Sequence, residues 1–152
     1  MIRLQTQPFD AGLLLADFSS ARGDAGAVAT FTGIARAATD GQGVQALELD
    51  CYLALAERTI GGYADEAKAR FGLIDVLVVH RHGHIAPGEA IVFVAASAEH
   101  RRAALDAVEF LMDRLKTEAP FWKKEHGPGG ERWIEPRAQD YADAARWRDQ
   151  QP

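Results

Sequence analysis

The chain opens on an alternation of apolar and polar residues, Ile2 to Gln7, which predicts a short strand ended by Pro8. Asp10 predicts an N-cap for a helix through Leu13, Leu14, Leu15 and Phe18. Arg22-Gly23-Asp24-Ala25-Gly26 reads as a turn. Ala27 to Ile34, rich in β-branched and aromatic residues, reads as a buried strand, with Gly33 allowing close approach of a backbone or ligand. The small polar run from Ala37 to Gly43 predicts a mobile loop, which beside Arg36 reads either as a lid over an anion or as a plain hairpin connection. A further alternating strand is expected over Val44 to Tyr52.

Helical spacing of Leu55, Thr59, Ile60, Tyr63 and Ala67 predicts a long helix over Leu53 to Phe71, ended by Gly72. Its Gly61-Gly62 pair is read as a place of tight packing. Strands are expected over Leu73 to His82 and Ala90 to Ala96, with a turn at Pro87-Gly88-Glu89 between them. Ser97 suits an N-cap for a second long helix, from about Ala98 to Glu118. Ala104, Val108, Leu111, Met112 and Leu115 form its apolar stripe. Two extended pieces then flank the turn Gly127-Pro128-Gly129-Gly130, and a short amphipathic helix runs from Ala138 to Arg148. Strands and helices mix with hairpin-length gaps, so the pattern predicts one α+β domain over residues 1–152. It has a largely antiparallel sheet packed with two long helices and a short C-terminal helix.

The acidic balance, net charge −5, argues against a general nucleic-acid binder and confines any anion site to a local basic cluster. The single cysteine, Cys51, excludes an internal disulfide and fits a reducing compartment; its apolar surroundings read as those of a buried, inert thiol. No apolar run approaches the ~20 residues of a membrane span, and the N-terminus carries no apolar signal core. The expectation is a cytoplasmic protein.

The chemistry concentrates around Pro120, which must turn the chain out of the second long helix. Lys116 lies on the last helical turn and Lys123 on the segment that leaves it, with Phe121 and Trp122 available as walls. Converging ammonium groups beside apolar surface lower each other's pKa, which suits a lysine that donates a proton or attacks. The same residues also read as helix-end cations followed by a core anchor. His100 and Arg101 begin that helix, where free N–H groups and the dipole favour an anion. A ~16-residue separation is about 24 Å along the axis. One small molecule can therefore meet both ends only if a second copy completes the pocket.

His80, His82 and His84 alternate along a strand and could bind zinc, but Gly83 interrupts the geometry and no acidic ligand is near in sequence. No metal is assigned. Nucleophile-elbow, phosphate-loop and dinucleotide fingerprints are absent.

Taken together, several strings resemble the catalytic (large) subunit of molybdopterin synthase. They are Gly26-Ala27-Val28-Ala29-Thr30-Phe31-Thr32-Gly33 with Arg36, Val79-His80-Arg81 with Gly83, and Pro87-Gly88-Glu89-Ala90-Ile91-Val92-Phe93-Val94. Ala98-Glu99-His100-Arg101, Phe110-Leu111-Met112-Asp113 and Leu115-Lys116-Thr117 continue the series. Ala119-Pro120-Phe121-Trp122-Lys123-Lys124-Glu125 and Arg132-Trp133-Ile134-Glu135 complete it, and the match runs from about Pro8 to Trp147.

The resemblance implies a hammerhead-like α+β fold and a sulfur transferase that converts cyclic pyranopterin monophosphate to molybdopterin. The sulfur donor would be the thiocarboxylated Gly-Gly terminus of a small ubiquitin-like subunit. The assembly would be a homodimer of large subunits within a heterotetramer. No cofactor is implied, and a thiocarboxylate, already a good nucleophile, needs no serine or cysteine. Carried over by position, Lys116 and Lys123 would be catalytic. Arg36, His100 and Arg101 would hold phosphate and pterin, with Lys124, Glu125, Ala35, Ile34 and Arg137 as further substrate contacts. Ile34 departs from the family, which often has a basic residue there. Two other readings stand beside this one: a non-catalytic module that docks a ubiquitin-like tail, and a metal-dependent hydrolase centred on the three histidines.

Overall fold

The computed structural model describes residues 1–20 and 23–148; Arg22 of the expected turn lies outside the described residues. The α+β class is as expected, but the strands divide into two four-stranded sheets and a small hairpin. The first sheet joins β1 (Ile2–Gln5), β2 (Ala27–Ile34), and two later strands. Chain order continues through α1 (Ala11–Ser20), β3 (Ala38–Thr39), β4 (Gln42–Gly43), β5 (Ala46–Cys51) and α2 (Leu53–Phe71). Then come β6 (Asp75–Arg81), β7 (Gly83–Ile85), β8 (Ala90–Ala98), α3 (Arg101–Thr117), β9 (Phe121–Gly127), β10 (Gly130–Ile134) and α4 (Ala138–Ala145).

The first sheet has the order β1-β6-β8-β2, with β1 parallel to β6 and the other pairs antiparallel. Its central strands read as continuous apolar runs because both faces are covered. Val76, Val78, Val92, Val94 and Ala96 pack with Ile60, Ala64 and Ala67 of α2 and Ala107, Val108, Phe110, Leu111 and Leu115 of α3. The intervening Leu77, Val79, Phe93 and Ala95 meet Phe18 of α1. Asp10 caps α1 as expected, its carboxylate accepting the Leu13 N–H at 3.0 Å.

Four expectations are corrected. β2 is an edge strand, not a buried one, so Phe31 and Ile34 remain exposed. The buried stripe of α2 is Ala56, Ile60, Ala64 and Ala67, and Leu55 faces out. The alanines provide a smooth surface for the facing helix and sheet. A Cβ added to Gly61 or Gly62 would meet nothing within 4 Å, so this pair packs against no neighbour. Ser97 belongs to β8 and is fully buried; its hydroxyl accepts the Asp75 N–H at 3.0 Å, and His100 takes the N-cap position.

Gly72, in the left-handed region at φ 62°, ends α2 as predicted. Of the two readings of residues 37–43, the hairpin is the observed one. Asp40 and Gly41 have φ values of 52° and 77°, the positive-φ pair that a two-residue turn between β3 and β4 requires.

The second sheet has the order β10-β9-β5-β7 and is antiparallel throughout. The short β7 is absent from the sequence prediction, because Gly83 at φ 75° breaks the long apolar strand and redirects its end into this sheet. The sheets meet where the His80 ring stacks on Phe121, with centroids 4.2 Å apart.

Candidate functional site

Pro120 ends α3 and lets β9 start at Phe121, which sets Lys116 and Lys123 on adjoining elements. Alternation along β9 then sorts its side chains. Phe121, Lys123 and Glu125 share one face, and Trp122, Lys124 and His126 the other. Lys123 lies opposite Leu49 of β5 and Ile134 of β10, an apolar frame that leaves it half-buried. This burial pushes its pKa below the lysine range, against the attraction of Glu125; Arg36, Lys116 and Arg137 push it lower still. Arg36, Lys116 and Arg137, each from a different element or connection, thus lie near enough to Lys123 for their charges to act on it.

Each member has a support. Ala35, buried, donates its N–H to the Glu89 carbonyl at 2.9 Å and accepts the Gly88 N–H at 2.8 Å. The turn it grips is held in turn by Arg81, 3% exposed, whose guanidinium bonds Glu89 at 2.7 Å and the carbonyls of Thr6 and His84. Arg36 leaves directly from this pinned segment, while Ile34 points outward. Lys116 meets Asp140 of α4 at 2.9 Å. Burial opposes ionisation of Asp140, but the Lys116 ammonium and the Arg137 N–H, 2.7 Å away, hold its carboxyl below the usual range. Glu125 is buried and accepts from Arg132 and from the Thr39 hydroxyl, each at 3.0 Å. Asp140, Thr39 and Arg132 were not foreseen as members of the site. An acidic residue three after Arg137 is a helix-start pattern that could have flagged Asp140; nothing local flags Thr39, which is 86 positions from Glu125.

Lys124 does not join the group. It projects to the opposite face, 3.2 Å from Glu131 and 4.8 Å over the Trp133 ring. His100 and Arg101 are also apart, in an open pocket with Gly26, Glu99 and Arg102. Arg101 and Lys116 are fifteen positions apart along α3, which is about 22 Å of helix. At this pocket a Cβ on Gly26 would lie 2.1 Å from the Glu99 carbonyl, so only glycine lets β2 pass the start of α3.

The three histidines do not share a face, because the strand breaks at His82. His80 is buried against Phe121, and burial lowers its pKa to about 4, so it is a neutral packing group at physiological pH. Its Nδ1 lies 2.8 Å from the Arg81 carbonyl. Cys51 is half-buried rather than fully so; burial, and then Asp50, raise its pKa and keep the thiol protonated.

What this arrangement offers is a group of cationic side chains in which one half-buried ammonium, Lys123, loses its proton more readily than a solvated lysine. Comparisons with known proteins identify the family. The family described as MoaE protein matches residues 4–118. A molybdopterin synthase catalytic subunit of Caulobacter vibrioides is 54% identical over 147 residues, 97% of both chains. One of Mesorhizobium japonicum is 47% identical over 150 residues, 97% of this chain and 92% of that one. The solved structure of the molybdopterin biosynthesis MoaE protein from Burkholderia ambifaria superposes with a TM-score of 0.82 at 43% identity, covering 99% of both chains. With a family match over most of its length and relatives of this identity, the chain belongs to the MoaE protein family.

Proposed function

We propose that this chain is the catalytic subunit of a molybdopterin synthase, acting as one domain over residues 1–152. It moves sulfur from the thiocarboxylated Gly-Gly terminus of a small ubiquitin-like subunit to cyclic pyranopterin monophosphate. The observation that carries the reading is the half-buried Lys123, framed by Leu49 and Ile134 and facing Arg36, Lys116 and Arg137. A thiocarboxylate brings its own nucleophilic sulfur. The enzyme then has to hold the substrate anion, protonate the departing oxygen and keep water from the acyl tail. Arg36 and Arg137 serve the first task, Lys123 with Lys116 the second.

The detached pocket at His100 and Arg101 supports a homodimer, in which one copy's helix start completes the other's lysine recess. With a small subunit at each end, the assembly is a heterotetramer. The reading places the protein in the cytoplasm; no helix among the described residues is long and apolar enough to cross a membrane.

Reconstitution with the thiocarboxylated small subunit and the cyclic pyranopterin tests this directly. Dithiolene product is expected. Tight binding of the tail with no product would leave a docking module instead. The pH profile is a second test. A proton-donating Lys123 must be charged, so the rate holds below its depressed pKa and falls as pH rises through it. The alkaline limb is expected below the ordinary lysine value of 10.5, and Arg137→Gln should move it to higher pH at saturating substrate.

A further inference from the structure

Away from the lysine recess, the opposite face of the second sheet carries a cluster that the sulfur-transfer reading leaves unused. Glu48 of β5 stands directly across from His84 of β7, and His126 of β9 lies one diagonal step away, beside Ala46. One potential ligand atom from each of the three lies within 4.8 Å of the others. The Nε2 of His126 is 2.7 Å from Glu48, and its Nδ1 is 3.4 Å from Glu131 on β10. The two imidazole rings have centroids 5.5 Å apart. We propose that Glu48, His84 and His126 form a binding site for a divalent cation of the zinc class.

Three arguments support it. Two imidazoles and one carboxylate are a donor set that zinc takes in tetrahedral geometry, with water in the fourth position. A carboxylate behind the second nitrogen of a ligating imidazole fixes its tautomer and strengthens it as a donor, and Glu131 stands in that place for His126. The ligands come from three neighbouring strands of one sheet, so backbone hydrogen bonds hold their spacing before any ion arrives.

Lys124 lies 4.0 Å from Glu48 and opposes a cation there. Its ammonium is drawn toward Glu131 and the Trp133 ring, and two carboxylates against one ammonium leave the face net negative when the imidazoles are neutral. Oxygen-loving magnesium is a poor match to two imidazoles. The sequence could not show this site: His84 and His126 are 42 positions apart, and Glu48 is 36 from His84.

The experiment uses untagged, metal-stripped full-length protein and zinc itself, titrated against a chromophoric chelator, with thermal melts beside it. One zinc per chain is expected, with a dissociation constant on the order of micromolar and a melting temperature that rises with zinc but not with magnesium. His84→Ala and His126→Ala should each weaken binding about tenfold or more, and Glu131→Gln about tenfold. The cobalt complex should show the absorption of a tetrahedral ion and lose it in His126→Ala. Sulfur transfer is not the readout, so the result stands apart from the catalytic assignment. Zinc affinity equal in the wild type and both histidine variants would mean an adventitious ion only and would overturn the proposal; so would a magnesium shift equal to that of zinc.

Discussion

Lys123→Ala is expected to lower the rate of dithiolene formation by about 10²- to 10⁴-fold, the range for loss of a general acid. The geometry gives the reason. Lys123 sits between two apolar neighbours on adjacent strands and shares its space with three other cationic side chains. Charging it there costs free energy, so its proton leaves more readily than that of a solvated lysine. The same fact sets the effect on stability. Between the depressed folded pKa and the unfolded value of 10.5, the unfolded chain binds more protons, so the native state is penalised by this charge as pH falls through that window. Lys123→Met, which keeps the stem and removes the charge, should therefore hold or raise the melting temperature while activity is lost. Lys116→Ala should lose activity in the same range at a cost in stability below about 1 kcal/mol, since its pairing with Asp140 is largely solvent-exposed on the lysine side. Wild-type rates from Lys123→Met and Lys116→Ala in a reconstituted assay would end the catalytic assignment of these lysines.

Phe110→Ala is expected to cost about 3–5 kcal/mol, the largest stability loss predicted here. Phe110 is fully buried, and its ring meets Phe71 at 5.7 Å and Trp147 at 5.6 Å, both edge to face. It therefore ties α3 to the end of α2 and to the segment after α4. Truncation would leave a cavity between elements that cannot close without moving α3. For a chain of this size the melting temperature should fall by about 6–20 °C. The urea midpoint should fall with an unchanged slope, since the same surface is exposed on unfolding. A shift of only a degree or two would show that the three-ring cluster contributes little. The link to function is mechanical: α3 carries His100 and Arg101 at its start and Lys116 at its end, so its seating decides where both cation sets stand.

How much of this was legible beforehand depends on the range of the interaction. The Asp10 cap, the Gly72 stop, the limits of α2 and the Pro120 break are all decided within a few residues, and the chain displays them. Gly61-Gly62 misled because a glycine pair in a helix marks either tight packing or open space, and only the neighbours distinguish the two. Ser97 misled for a similar reason. A serine ahead of a helix is a good cap, but Asp75, 22 positions away, donates its backbone N–H to the buried hydroxyl. The exposure of β2 could not be read from its composition, because an edge strand and a central one can share the same apolar residues.

The candidate site divides in the same way. The local pattern around Pro120 put two lysines on adjoining elements, but Lys124, expected at the site, points to the other face of β9. The start of the second long helix marked His100 and Arg101, and family likeness added Arg36 and Arg137 as substrate contacts. Folding alone decided that Arg36 and Arg137 come near enough to Lys123 to act on its charge, that Asp140 holds Lys116, and that His84 leaves His80 to stand with Glu48 and His126. The physical reason is that secondary structure follows from backbone and near-neighbour terms, which are written in consecutive residues. The charges that tune a lysine, or the ligands that surround a cation, meet only after strands from distant parts of the chain have paired.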